Sequence, residues 1–307
     1  MIHGVINVHK EKGYTSHDVV AKLRGIIGQK KIGHTGTLDP DATGVLPVCF
    51  GKATKLCDML TDKSKVYETV LLLGKVTDTQ DITGTVLAEA STENLNDEMV
   101  KNAILSFVGT YMQIPPMYSA LKVNGKKLYE LAREGIEIER KARAVEIISI
   151  HIKEINLPRV RMEVNCSKGT YIRTLCHDIG TMLGCGACME ELIRTQVSCF
   201  ELRDSVTLED IQKLKEQNRL LDIVTPIDTL FSEFESVTLK DEYLPLVYNG
   251  NTFLPKHLKE YIVLEDEKKV RVYGKDGTFI AIYKFIKEKY VFKIEKMFFE
   301  REDHAVH

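Results

Sequence analysis

What this 307-residue chain lacks narrows it before anything it contains. No apolar run approaches the roughly 18–20 residues a membrane-crossing helix needs, so no helical span is expected. The opening residues Met1-Ile2-His3-Gly4-Val5 are not a basic stretch followed by an apolar one. No secretory signal is read there, and a cytoplasmic location is expected. Seven cysteines (Cys49, Cys57, Cys166, Cys176, Cys185, Cys188 and Cys199) make no even framework. Cys185-Gly186-Ala187-Cys188 has half the spacing of a zinc knuckle, but no second pair completes four ligands. Reduced thiols and no metal are expected. Gly44 and Gly51-Lys52 suggest a phosphate loop until the spacing is counted. Six residues separate the glycines where that loop has four, and Ala53 stands where it has Ser or Thr. A nucleotide triphosphatase is disfavoured, and neither a dinucleotide fingerprint nor an internal repeat is present.

Charge of one sign is also missing, since the net charge is −2. Its distribution is uneven. Residues 1–55 hold eight Lys/Arg against four Asp/Glu, residues 119–143 seven against four, and residues 256–296 eleven against seven. Residues 201–242 reverse this, with five against eleven. Three basic segments on a nearly neutral chain allow a positive groove for a phosphate backbone, although scattered solvated charge would look the same.

Patterning points to an α+β protein with a mixed, largely antiparallel central sheet flanked by helices. Strands are expected over Ile2–Val8, Val45–Phe50, Lys65–Gly74, Ala144–Ile152 and Val160–Cys166. Helices are expected over His17–Ile27 behind a Thr15-Ser16 cap, and over Lys52–Leu60, Asn96–Phe107, Thr170–Leu183 and Thr207–Glu216. In the 96–107 helix, Met99, Ile104 and Phe107 form a plausible apolar face. Beyond residue 236 the texture changes to short strands at Tyr261–Leu264, Lys269–Tyr273, Phe279–Phe285 and Tyr290–Lys296. The domains expected are 1–235, with an insertion at about 112–143, and a small β-rich piece at 236–307.

The loop Lys31–Gly44 carries the chemistry. Pro40 pushes Asp39 out of the helical region, and glycines at 33, 36 and 44 permit backbone shapes that other residues avoid. An aspartate held on such a turn can be aimed at a substrate as nucleophile or base, although most Asp-Pro turns are plain surface.

The string from Gly33-His34 through Leu38-Asp39-Pro40 to Leu46-Pro47 resembles the signature G-H-x-G-x-L-D-P-x-A-x-G-x-L-P of the TruB family of pseudouridine synthases. Lys10 to Ser16 resembles that family's K-P-x-G-x-T-S motif, with Glu11 in place of proline, and Lys65-Val66-Tyr67 its K-x-Y strand. Thr77-Asp78-Thr79 resembles its acidic turn. Pro115 through Ala120 and on to Gly135 is similar to the start of its RNA-binding insertion. Gly169 to Leu175 resembles the segment bearing the family's arginine, and Leu192-Ile193-Arg194-Thr195 its L-R-R-T motif with Ile193 for one arginine.

The resemblance implies a pseudouridine synthase fold with a PUA-like C-terminal module. It implies a reaction at uridine 55 in the T-loop of transfer RNA, with contacts to T-loop and acceptor stem. The glycosidic bond breaks, uracil rotates, and C5 joins the ribose, so no cofactor is required. The implied catalytic set is Asp39, Tyr67 and Arg173, with Arg173 expected to lower the Asp39 pKa and keep it charged. Asp39 attack at ribose C1′, attack at uracil C6 and removal of a sugar proton all remain open. Tyr67 would stack on the base and handle a proton. His34, Tyr171, Leu192 and Lys10 match substrate-binding positions, with His34 propping the space left by a flipped-out base. A monomer without an obligate protein partner is expected. The rivals are a guide-RNA-dependent enzyme acting on ribosomal RNA and a tRNA-folding chaperone without chemistry. The chain stops soon after the β-rich segment, which favours the stand-alone enzyme, and a chaperone has no need of Asp39 paired with Arg173.

Overall fold

The computed structural model describes residues 1–123 and 125–300. The chain divides into two compact units, one formed by Asn7–Val48 and Cys57–Leu220, the other by Met1–Ile6, Cys49–Leu56 and the chain from Leu221 onward.

Among the described residues a nine-stranded sheet supplies most of the larger unit's framework, with the ends of two of its strands, residues 4–6 and 49–50, assigned to the smaller unit. Its order is Gly4–Lys10, Thr43–Phe50, Ala187–Val197, Lys65–Leu73, Arg159–Cys166, Arg143–Asn156 and Gly109–Gln113. Short strands Ile32–His34 and Phe200–Glu201 pair with Thr43–Phe50 and Ala187–Val197. Thr43–Phe50 and Ala187–Val197 run parallel, whereas the 187–197, 65–73, 159–166, 143–156 and 109–113 strands pair antiparallel in turn. A mixed, largely antiparallel sheet is therefore present.

Alternation explains its two faces. In Arg159–Cys166, Val160, Met162, Val164 and Cys166 are buried, while Arg159, Arg161, Glu163 and Asn165 are not. Helix Ile172–Met182 buries Ile172, Leu175, Cys176 and Ile179 at helical spacing against that inner face, with Val100 and Ile104 of helix Asp97–Leu105 joining the same core. Truncating a fully buried member such as Met162 to alanine would cost about 2–5 kcal/mol. Gly180 lets the helix come close, because a Cβ there would lie 2.2 Å from the backbone nitrogen of Ala187.

Several expectations need correcting. Met99 is exposed, because the buried face of its helix is Val100, Ala103 and Ile104. Lys52–Leu60 resolves into a 3-10 segment, Gly51–Leu56, and a short helix, Cys57–Thr61. Tyr261–Leu264 is not a strand: Tyr261 and Val263 point to solvent, and only Ile262 is buried. The smaller unit's sheet instead gains Glu235–Thr238, parallel to Lys269–Tyr273, followed by Phe279–Ile286 and Val291–Met297. Phe253, Tyr283, Phe285 and Phe292 form its core. Among the described residues no helix is long and apolar enough to cross a membrane.

Candidate active site

The loop between Ile32–His34 and Thr43–Phe50 is pinned from beneath by side chains that its own sequence does not supply. Lys10 is fully buried, and its Nζ donates to the carbonyls of Ala42 at 2.6 Å, Pro40 at 3.0 Å and Glu11 at 3.2 Å. Ser16 Oγ accepts from Leu38 N–H at 2.9 Å, which anchors Leu38 in the core. Arg194, also fully buried, donates through Nε to Val45 C=O at 2.8 Å and through Nη2 to Gly36 C=O at 3.2 Å. Gly44 sits at φ +105°, where a Cβ would meet the Arg194 carbonyl oxygen at 2.2 Å. Only glycine fits there.

At the top of this loop, Asp39 meets Arg173. Arg173 Nη2 lies 3.1 Å from Asp39 Oδ2 and 3.3 Å from Oδ1, and it donates to Tyr118 C=O at 2.7 Å. Arg173 is 6% exposed and reaches a second carboxylate, with Nη1 3.6 Å from Asp81 Oδ2. Asp81 is held in turn: its Oδ1 accepts from Thr79 Oγ1 at 2.8 Å, Thr83 Oγ1 at 2.6 Å and Thr83 N–H at 3.0 Å. The guanidinium thus bridges two oriented carboxylates.

Burial pushes the Asp39 carboxyl above its ordinary value. Arg173 and Lys10 pull it down, and Asp81 and Asp41 push it up. The expectation that Arg173 would hold Asp39 low is corrected, because desolvation outweighs the guanidinium. Arg173 limits the rise without reversing it.

Tyr67 is 8% exposed and packs in the same core cluster as Leu38, with Leu192 packed against that cluster. Its register partners are Val164 and Arg194. Burial raises its phenol while the neighbouring Arg194 acts the other way, so the phenol keeps its proton at neutral pH. His34 packs edge-on against His17 with ring centroids 5.4 Å apart, and its Nδ1 is buried without a hydrogen-bond partner. Burial and then the charge of His17 lower its pKa, which favours the neutral imidazole. Tyr171 lies immediately before the 172–182 helix, and its ring is 5.9 Å from the Arg173 guanidinium.

The fold thus joins Asp39 and Arg173 directly, brings the Tyr171 ring within 5.9 Å of that guanidinium, and sets Tyr67 and Leu192 in or against the core cluster that holds Leu38. Lys10 is brought to the loop's underside with its three contacts on backbone, and burial pushes its ammonium down to about 8. Asp81 and Arg194 were not singled out from sequence. The acidic turn beginning at Thr77 was the available signal for Asp81, and the 192–195 motif for Arg194.

The insertion starts at the site through the Tyr118 carbonyl. It continues as a small hairpin, Lys122–Val123 with Lys126–Lys127, and helix Leu128–Arg133. Tyr129 is flanked by Lys127, whose Nζ donates to its hydroxyl at 3.1 Å, and by Arg133, 5.4 Å from its ring. A ring framed by cations can stack a base while its neighbours meet phosphates. Among the described residues no group of three or more His, Cys, Asp or Glu could hold a metal.

Residues 24–172 match the family described as TruB family pseudouridylate synthase (N terminal domain). Residues 173–232 match the tRNA pseudouridylate synthase B C-terminal domain. The tRNA pseudouridine synthase B of Lachnoclostridium phytofermentans is 50% identical over 310 residues, covering 97% of this chain and 100% of that protein. Its counterpart in Alkaliphilus oremlandii is 45% identical, covering 98% of this chain and 100% of the relative. Among solved structures, a chain in a Cbf5-Nop10-Gar1 complex is 27% identical with a TM-score of 0.73, over 98% of this chain and 86% of that one.

Proposed function

The chain belongs to the TruB family of pseudouridylate synthases, and we propose that it isomerises the T-loop uridine of transfer RNA with Asp39 as its catalytic carboxylate. The observation that carries this reading is the contact of Arg173 with Asp39, 3.1 Å apart on a loop pinned at several backbone points. Each route open to the aspartate needs it ionised and held against the nucleoside. Arg173 serves both needs, opposing the protonation that burial favours and fixing the carboxylate's direction.

The target base must leave its stack to reach Asp39, at a cost of about a few kcal/mol. In this reading His34 props the vacated space as a neutral ring, Tyr171 and Leu192 line the uracil pocket, and Tyr67 stacks on the base and handles a proton as a phenol. Lys10 serves by holding the loop. The insertion at about 112–143 grips the T-loop, and the β-rich domain from residue 236 meets the acceptor end. The enzyme acts as a cytoplasmic monomer without a guide RNA.

The test is a position-resolved pseudouridine assay on an unmodified tRNA transcript, comparing wild type with Asp39→Asn. Wild type alone should modify the T-loop uridine, while the variant keeps tRNA binding within about tenfold, since a small neutral change touches chemistry more than contact area. Turnover by Asp39→Asn would refute the assignment of the carboxylate. No turnover by wild type, with tight binding retained, would move the reading to a guide-dependent or folding role.

A further inference from the structure

Gln113 ends the strand Gly109–Gln113, and its side chain is 1% exposed. Its amide forms a reciprocal pair with the backbone of Tyr171: Oε1 accepts from Tyr171 N–H at 2.8 Å, and Nε2 donates to Tyr171 C=O at 3.0 Å. Nε2 also donates to the Tyr111 hydroxyl. The partners fix the orientation of the amide, because a backbone N–H only donates and a backbone C=O only accepts. The side chain therefore meets Tyr171 as a peptide group on a neighbouring strand would.

Tyr171 is where that substitution matters. It precedes helix Ile172–Met182, has no side-chain cap, and its C=O accepts the helical bond from Leu175 N–H at 3.0 Å. Arg173 stands two residues further on, in the first turn. Rotation of the backbone at Tyr171 would move both its ring and the guanidinium that meets Asp39. Thr174 Oγ1, donating to Gln80 Oε1 at 2.7 Å, ties the same turn to the segment bearing Asp81. Gln113 fixes the other side, at the helix's start.

We propose that Gln113 is a positioning residue for the uridine isomerisation: its amide sets the backbone at Tyr171 so that Tyr171 faces the base and Arg173 meets Asp39. This rests on the assignment of Asp39, Arg173 and Tyr171 to the active site. Gln113 touches no reacting atom and acts through those residues.

The experiment compares full-length wild type, Gln113→Met, Gln113→Glu and Asp39→Asn. Single-turnover rates are read at saturating tRNA transcript across pH, beside tRNA affinity and thermal unfolding. Gln113→Met is expected to lose about a hundredfold in rate, the scale of a misplacement of about 1 Å. Its tRNA affinity should hold, and its acid limb should move to higher pH, because a displaced Arg173 no longer opposes the protonation of Asp39. Gln113→Glu, which keeps an acceptor for Tyr171 N–H, should fall between wild type and Gln113→Met. Folded variants with the wild-type rate and acid limb would overturn the proposal. So would a rate loss that follows only the unfolded fraction, with the acid limb unmoved. If Asp39→Asn turns over, the site assignment fails and this proposal with it; if only the Gln113 variants match wild type, this proposal fails alone.

Discussion

Adjacent residues of one strand, Tyr67 and Glu68, point toward two clusters of the same chemistry that behave oppositely. On the outer face Glu68 is shared by Lys153 and by Arg161 at 3.1 Å. Arg161 also reaches Glu191 at 3.3 Å, and Arg159 grips Glu190 through two nitrogens, each at 2.8 Å. On the inner face Arg173 bridges Asp39 and Asp81. The Glu68 carboxyl is held below its ordinary value, chiefly by its hydrogen bond from Lys153, while the Asp39 carboxyl is raised. Both have a guanidinium beside them, and the balance of contributions separates them: at Glu68 the hydrogen bonds from Lys153 and Arg161 together outweigh desolvation, whereas at Asp39 desolvation outweighs Arg173. The outer network organises a polar sheet face at small net energy, and the inner one keeps a reluctant carboxylate usable.

The hardest test of this contrast is Arg173→Met. Asp39 must be ionised to act, so the rate is full above its pKa and falls as pH drops through it. Without the guanidinium that pKa rises further, so the fall should begin at higher pH than in wild type. The rate on the plateau should also drop by about a hundredfold or more, as when a preorganised charge is removed from a site. Single-turnover rates across pH measure both, and an unmoved acid limb would break the comparison. Lys10→Met should act next most strongly, through stability. It strands the buried Ala42 carbonyl, while the Pro40 carbonyl keeps its bond from Gly13 N–H, costing about 1–3 kcal/mol. Urea unfolding would read this as a lower midpoint. Arg161→Ala should do least: with its side chain about a third exposed, the loss should stay within about 1 kcal/mol, with turnover unchanged. A larger loss would mean that the outer network contributes more than a surface ion pair does.

The site was more legible than the scaffold beneath it. The 33–47 loop declares itself because glycine, proline and aspartate act on their own backbone, and Arg173 sits in a recognisable run of residues. Lys10 reads from sequence as a solvated loop lysine, since the carbonyls that bury it lie some thirty residues away in the chain. The direction of the Asp39 shift was misread because a neighbouring charge can be inferred from a motif, whereas the degree of desolvation is a property of the closed fold. Asp81 depends on a turn in which Gln80 takes φ +66°, which no acidic pattern announces. The Ala187–Val197 strand, central to the sheet, escaped because register shifts between Met189 and Glu191 and between Arg194 and Gln196 break its alternation. In the smaller unit, Tyr261–Leu264 has a strand's composition, yet the Glu260 carboxylate ties its start to Thr238 and the chain runs on unpaired.

Burial raises the Asp39 carboxyl, and Arg173 limits the rise. The most direct measurement is the pKa of the Asp39 carboxyl itself, from carboxyl carbon shifts followed by NMR across pH in wild type and in Arg173→Met. A wild-type value above that of an ordinary aspartate is expected, and a still higher value in the variant. A wild-type value at or below the ordinary one, or no change on removing Arg173, would contradict it.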